Sequence, residues 1–218
     1  MGIVSRSLAA IMLIILSPFF LLISAGSLFS KGYPMLFKQE RVGYKFNLFK
    51  LYKFRTMKIN NDNKFVTEAG DNRITTWGKI LRKFKLDELP QLWNILKGEM
   101  RFIGPRPELP QFVDKEDFLF LHSVKPGLTD FSSILLRDEE KILSNMGGID
   151  YYPELLRVKV QLGQLYANNK GFRLDLMLVF FTLIAIMMPA VAQRFIKIFF
   201  IEPQNAGLSH QIEKLNIL

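Results

Sequence analysis

The chain has no cysteine among its 218 residues. A disulfide framework, a thiolate metal site and a cysteine nucleophile are therefore excluded, and the absence fits a reducing compartment. Histidine is nearly missing too, with only His122 and His210. That leaves no room for a zinc site built on several histidines and little for a histidine relay, so a nucleophile must come from Asp, Glu, Ser, Thr, Tyr or Lys. Acid is in short supply, with 20 Asp and Glu against 29 Lys and Arg, a net charge of +9 and a pI near 9.7. Yet 49% of the residues are hydrophobic and mean hydropathy is +0.15. An apolar and strongly basic chain points to a membrane-associated protein facing anionic groups such as lipid headgroups, nucleotides or nucleic acid. The length suits one sizeable core, alone or with an appendage.

Leu8 to Phe29 is an uncharged apolar stretch, long enough to cross about 30 Å of hydrocarbon as a straight helix. It is too long for an ordinary signal core, and no small-x-small cleavage site ends it convincingly. Ser17-Pro18 lies in its middle. Proline cannot donate to the Ile14 carbonyl, and the Ser17 hydroxyl can bond back one turn earlier. Two readings follow: a kinked spanning helix, or a re-entrant hairpin that dips into one leaflet. Between Lys31 and Lys58 there are eight Lys and Arg but one acid, Glu40. Either way, that bias places the bulk of the chain on the cytoplasmic side.

Residues 33–55 alternate apolar and basic types around Gly43, which predicts a β-hairpin with a basic face. Residues 57–73 are polar and turn-rich and predict a mobile loop, a candidate lid. Helical spacing then carries Trp77, Ile80, Leu81 and Phe84. A second helix has Pro90 in its first turn, buries Leu89, Leu92, Trp93 and Leu96, and stops at Gly98, with Asp87 as its N-cap and Glu88 as its first residue. After Met100 a proline-stiffened extended loop runs to Pro110, and Lys125-Pro126-Gly127 forms a turn. Residues 154–168 predict an amphipathic helix. Leu174 to Val191 is apolar but interrupted by Asp175 and Pro189. It suits the membrane interface better than a crossing, since Asp175 would be costly deep in a bilayer.

The chemistry concentrates at Asp87-Glu88, adjacent carboxylates with Arg82, Lys83 and Lys85 before them and Arg106 after them. An acid at a helix start is ordinary, contributing about 1 kcal/mol. The cations change that reading. Arg82 is about one helical turn away, and Arg106, held between Pro105 and Pro107, is a pre-set planar fork that matches phosphate oxygens. Asp87 would be the nucleophile and Glu88 would hold a divalent cation or relay a proton.

Five words of this sequence carry a resemblance: Phe37-Lys38-Gln39-Glu40-Arg41-Val42-Gly43; Tyr52-Lys53-Phe54-Arg55-Thr56-Met57; Leu86 through Asn94; Lys97-Gly98-Glu99-Met100; and Ile103-Gly104-Pro105-Arg106-Pro107-Glu108. In this order they resemble the bacterial sugar transferase family, the monotopic phosphoglycosyl transferases that start glycan assembly on a polyprenyl phosphate. With no long apolar region before the anchor, the chain resembles the family's small form. The resemblance implies transfer of a sugar-1-phosphate from a UDP-sugar to undecaprenyl phosphate with release of UMP. It also implies Asp87 as covalent nucleophile beside Glu88, and magnesium at the pair. Lys53, Arg55, Arg82 and Arg106 would bind the diphosphate and nucleotide, with Arg137 a further candidate. It favours the re-entrant anchor broken at Ser17 and Pro18. The segment after Lys125-Pro126-Gly127-Leu128-Thr129 departs from the family pattern, which bears on the choice of sugar.

The expectation is an α+β, membrane-associated fold. A re-entrant N-terminal helix (residues 1–30) precedes a catalytic domain (31–200) with a basic β-hairpin, a helical core and amphipathic interfacial helices; a tail follows (201–218). The expected site is the cytoplasmic face of a bacterial inner membrane, with membrane lipid as a partner, no nucleic acid, and room for a homodimer. The competing expectation is a non-catalytic, membrane-anchored basic module, for which central carboxylates would be a handicap.

Overall fold

A computed structural model describes residues 2–29, 34–59 and 66–215. Parts of the expected hairpin start and of the 57–73 loop lie outside the described residues. The first two helices are α1 (Gly2–Ile15) and α2 (Ser17–Phe29), bent by 60° at the break between them. The bend has a local cause. In a continuous helix the Ile14 carbonyl would accept from residue 18, which is proline. Here the Ser17 hydroxyl donates to that carbonyl at 2.8 Å instead. Among the described residues no single helix is long and apolar enough to cross a membrane; α1 and α2 reach that length and composition only when taken together.

Both helices dock on the hairpin and the two helices after it. The hairpin pairs β1 (Leu36–Val42) antiparallel with β2 (Leu48–Phe54), from Leu36 opposite Phe54 to Val42 opposite Leu48. It turns through a tight loop in which Lys45 and Phe46 take positive φ. Next come α3 (Thr76–Lys83), capped by the Thr75 hydroxyl accepting from Gly78 N–H, and α4 (Gln91–Lys97). Ala9 of α1 is buried against Phe49, Leu51, Leu92, Ile95 and Met100. Ile23 of α2 is buried with Phe54 and Leu81. Gly26 lies so close to the Trp77 indole that a Cβ there would come within 2.6 Å of it.

The helix around Pro90 differs from expectation. Lys85 takes a left-handed conformation, with φ of 57°, and Leu86–Glu88 form a separate 3-10 turn; α4 starts only after Pro90, which is its N-cap. Asp87 is therefore not an N-cap and Glu88 is not a helical residue of α4. The packing stripe also shifts. Leu92 and Ile95 are buried, while Trp93 is 49% exposed. Gly98 ends the helix as expected, with φ of 80°.

A short parallel pair joins β3 (Arg101–Ile103), at the start of the expected extended loop, to β4 (Gly127–Thr129), which takes in Gly127 of the expected turn; residues 105–109 stay outside any helix or strand, as expected. The pair depends on two glycines, since a Cβ on Gly127 would sit 2.1 Å from the Gly104 nitrogen. The helical layer comprises α5 (Phe131–Leu135), α6 (Glu139–Met146), α7 (Tyr152–Asn169), α8 (Phe172–Met187), α9 (Pro189–Ile196), a π-helical turn (Lys197–Ile201) and α10 (Ala206–Lys214). Its core includes Phe131, Leu135, Leu155, Leu162 and Leu178. The apolar 174–191 stretch breaks at Pro189 into α8 and α9. Leu176, Phe180, Leu183 and Met187 of α8 face outward, and Asp175 accepts from the Tyr166 hydroxyl at 2.8 Å.

Candidate active site

One open cavity of about 830 Å³ gathers most of the basic residues singled out by sequence. β2 brings Lys53, the segment just past its end brings Arg55, and the last turn of α3 brings Arg82. The left-handed Lys85 then turns the chain so that Asp87 and Glu88 enter the cavity wall, both buried. Arg106 arrives on the segment leaving β3. The buried Asp130 carboxylate, N-cap of α5, accepts from the Arg106 backbone N–H at 3.3 Å and fixes that segment.

The two adjacent carboxylates have different environments. Glu88 is clamped: Arg106 donates to both its oxygens, at 2.6 and 3.2 Å, and Lys53 approaches at 3.5 Å. Burial alone would raise its carboxyl, but Arg106, then Lys53 and Lys85, draws it well below the usual range. The reciprocal effect pushes Arg106 up. Among the described residues Asp87 has no such clamp, and its buried Oδ1 has no hydrogen-bond partner. Desolvation and then the Glu88 charge push its carboxyl above the usual range, against Lys53, Lys85 and Arg82. Lys53 is lowered to about 8 by burial, with Glu88 opposing.

The remaining cations are placed less directly. Arg82 donates to the Thr56 hydroxyl at 2.9 Å and pairs with Glu140. Arg55 donates to the Pro34 carbonyl at 2.8 Å and lies over the Phe37 ring. Arg137 lines the same cavity, but its guanidinium donates to the Lys83 carbonyl at 2.7 Å and pairs with none of Asp138, Glu139 or Glu140 among the described residues. Ser17 and Pro18 lie at the helix break, away from this cavity.

Sequence reading missed a buried charge network on the cavity wall. Lys159 of α7 pairs with Glu139 at 2.8 Å and Glu108 at 3.4 Å, and donates to the Tyr152 hydroxyl at 3.2 Å; Glu108 also pairs with Arg41 at 2.9 Å. Glu108 directly follows Pro107, so the network ties the Arg106 segment to β1 and α7. The one available signal was a charged residue, Lys159, on the face of α7 expected to be apolar.

The donor set bears on a metal. Among the described residues no group of three or more His, Asp or Glu is placed to hold an ion alone. Magnesium does not need one, because it binds through one or two carboxylates plus phosphate oxygens and water. The unpartnered Oδ1 of Asp87 suits such an ion; Glu88 would have to share oxygens already held by Arg106.

The bacterial sugar transferase family profile matches residues 2–189, a span that holds every residue lining this cavity. The chain is 35% identical to a UDP-N-acetylgalactosamine-undecaprenyl-phosphate N-acetylgalactosaminephosphotransferase of Aeromonas hydrophila, over 71% of this chain and 36% of that protein. It is 37% identical to a UDP-glucose:undecaprenyl-phosphate glucose-1-phosphate transferase of Escherichia coli, over 58% of this chain and 29% of that protein. It thus spans about a third of the length of these two relatives. It is also 35% identical to the exopolysaccharide production protein ExoY of Sinorhizobium fredii, over 85% of this chain and 86% of that protein. With the profile covering most of its length, this chain belongs to the bacterial sugar transferase family.

Proposed function

We propose that this protein is a phosphoglycosyl transferase that moves a sugar-1-phosphate from a UDP-sugar to undecaprenyl phosphate and releases UMP, as a membrane step of bacterial glycan assembly. The observation that carries the reading is the asymmetry of the carboxylate pair: Glu88 clamped by Arg106, and Asp87 unpaired in a cationic cavity. A surface that only bound phosphate would gain nothing from a carboxylate there. A phosphotransferase that works through an acyl phosphate needs one as its nucleophile.

The chemistry runs through two displacements. An Asp87 carboxylate oxygen attacks the sugar-bearing phosphorus of the UDP-sugar. The bond from that phosphorus to the bridging oxygen breaks, and UMP leaves with the electron pair. The resulting acyl phosphate is then attacked by a phosphate oxygen of undecaprenyl phosphate, which restores the Asp87 carboxylate and forms the lipid diphosphate sugar. Phosphoryl transfer is mostly positioning and neutralisation of charge on the equatorial oxygens. Arg82 and Lys53 supply cations at the cavity wall, and Glu88 holds Arg106 in place. Magnesium held at Asp87 together with the diphosphate would add further neutralisation of that charge.

The membrane setting belongs to the same proposal. The bent α1–α2 pair enters one leaflet and returns, and the excess of Lys and Arg after it keeps the cavity on the cytoplasmic face of the inner membrane. The experiment incubates the full chain with magnesium, undecaprenyl phosphate and a panel of UDP-sugars, reads UMP, and maps the phosphosugar adduct by mass spectrometry after a quench without acceptor. UMP release with the adduct on Asp87 supports the reading. A folded preparation that releases no UMP with any sugar, or an adduct on another residue, overturns it.

A further inference from the structure

A second, smaller cleft of about 360 Å³ lies between the start of α1 and the start of β3, and shares no lining residue with the 830 Å³ cavity. Three cations from three parts of the chain line it: Arg6 from α1, Arg101 from β3, and Lys125 from the turn before β4. No acid lines it. We propose that this cleft binds the phosphate of an anionic membrane phospholipid, distinct from the lipid acceptor. The inference rests on the reading that α1 and α2 sit in one leaflet.

Part of the cluster has an internal task. Arg6 donates to the Lys97 carbonyl at 3.2 Å and Lys125 to the Gly98 carbonyl at 2.6 Å, so both cap the C-terminal end of α4. That task uses one donor of each, while a guanidinium has five and an ammonium three. Arg101 is not used at all: among the described residues its side chain makes no hydrogen bond or ion pair. Its field reaches Asp175, whose carboxylate is engaged by Tyr166. Lys125 is lowered by burial and then by Arg101 and Arg6, with no acid opposing. Three mutually repelling cations in a recess are the complement of a compact anion.

The surroundings select a lipid. Ile3, Val4, Leu8 and Ile11 of α1 project outward, with Ile3 81% and Val4 72% exposed. A headgroup seated in the cleft would run its acyl chains along this apolar face. Because no residue lines both cavities, a phosphate held here is not the one presented to Asp87.

The test is native mass spectrometry of the detergent-solubilised full chain with dioctanoyl phosphatidylglycerol or dioctanoyl phosphatidylcholine. Retention needs no substrate and no turnover, so its outcome is separate from that of the UMP assay. One retained phosphatidylglycerol is expected. Each of Arg101→Gln and Lys125→Gln should weaken it about fivefold, and the double variant about 25-fold, with UMP release unchanged. Arg101→Lys should keep most of the retention, and since Arg101 has no internal partner its variants leave the fold intact. Four results would each overturn the proposal: equal retention of phosphatidylcholine, unchanged retention in the double variant, displacement by equimolar inorganic phosphate, or displacement by undecaprenyl phosphate. The last would assign the cleft to the acceptor.

Discussion

The Arg106 guanidinium donates to both oxygens of Glu88, at 2.6 and 3.2 Å, while among the described residues the buried Oδ1 of its sequence neighbour Asp87 has no hydrogen-bond partner. Lysine cannot reproduce a two-pronged clamp. In Arg106→Lys, Glu88 should swing free and the charge at Asp87 lose its definition, lowering kcat/KM for the UDP-sugar about 100-fold. Steady-state UMP release measures this. A loss below about threefold would mean that the clamp is structural only.

Asp87→Asn separates chemistry from folding. An amide cannot form the acyl phosphate, so turnover should fall by about 10⁴-fold or more. The buried, partnerless Oδ1 is a cost to the native state, of about 1–3 kcal/mol for such a group. Removing the charge therefore should not destabilise the fold, and thermal unfolding should show a Tm at or above that of the parent. A large fall in Tm would point to a structural role for the carboxylate.

The parts of this site that local chemistry dictates were legible in the sequence. The adjacent acids and the prolines flanking Arg106 act over one or two residues; the Ser17-Pro18 break, away from the cavity, acts over three or four. What was not legible depends on chain segments meeting at a distance. Asp87 looked like a helix cap because nothing local announces that Lys85 takes a left-handed conformation and that Pro90 becomes the cap. The β3–β4 pair is three residues on each side, too short for a periodic signal, and is set by the close approach of Gly104 and Gly127. The Lys159 network joins residues from β1, the Glu108 segment, α6 and α7, whose charges looked like separate solvated ones.

The pH profile of kcat/KM should be bell-shaped, since it reports groups of the free enzyme. On the acid side Asp87, as the proposed nucleophile, must lose its proton to attack, and its raised carboxyl moves that limb above the usual carboxylate range. On the alkaline side Lys53 loses its charge near 8, removing a cation from the proposed diphosphate site. Stability has the opposite sign for this group. Between about 8 and the ordinary 10.5 the unfolded chain binds the proton that the folded chain has released, so the Lys53 contribution to stability rises with pH there. Falling activity in that window is therefore not unfolding driven by Lys53. Arg in place of Lys53 stays charged, so Lys53→Arg should remove the alkaline limb near 8. A limb that stays in place would assign it to another group.

The anchor bend makes a separable prediction. Pro18 denies the Ile14 carbonyl its helical donor, and the Ser17 hydroxyl supplies a replacement at 2.8 Å. Ser17→Ala removes only the replacement. It should keep the bend and cost about 1 kcal/mol or less, because the carbonyl lies in an exposed part of the helix. Pro18→Ala restores the normal donor and permits a continuous helix of a length that crosses a bilayer. An epitope at the N-terminus should then become accessible from the periplasmic side in Pro18→Ala but not in Ser17→Ala, as read by protease protection in spheroplasts. If the epitope stays cytoplasmic in both, the contacts of Ala9 and Ile23 with the hairpin and α3–α4 region hold the bend without the proline. Ala9→Trp combined with Pro18→Ala would then be the variant that releases it.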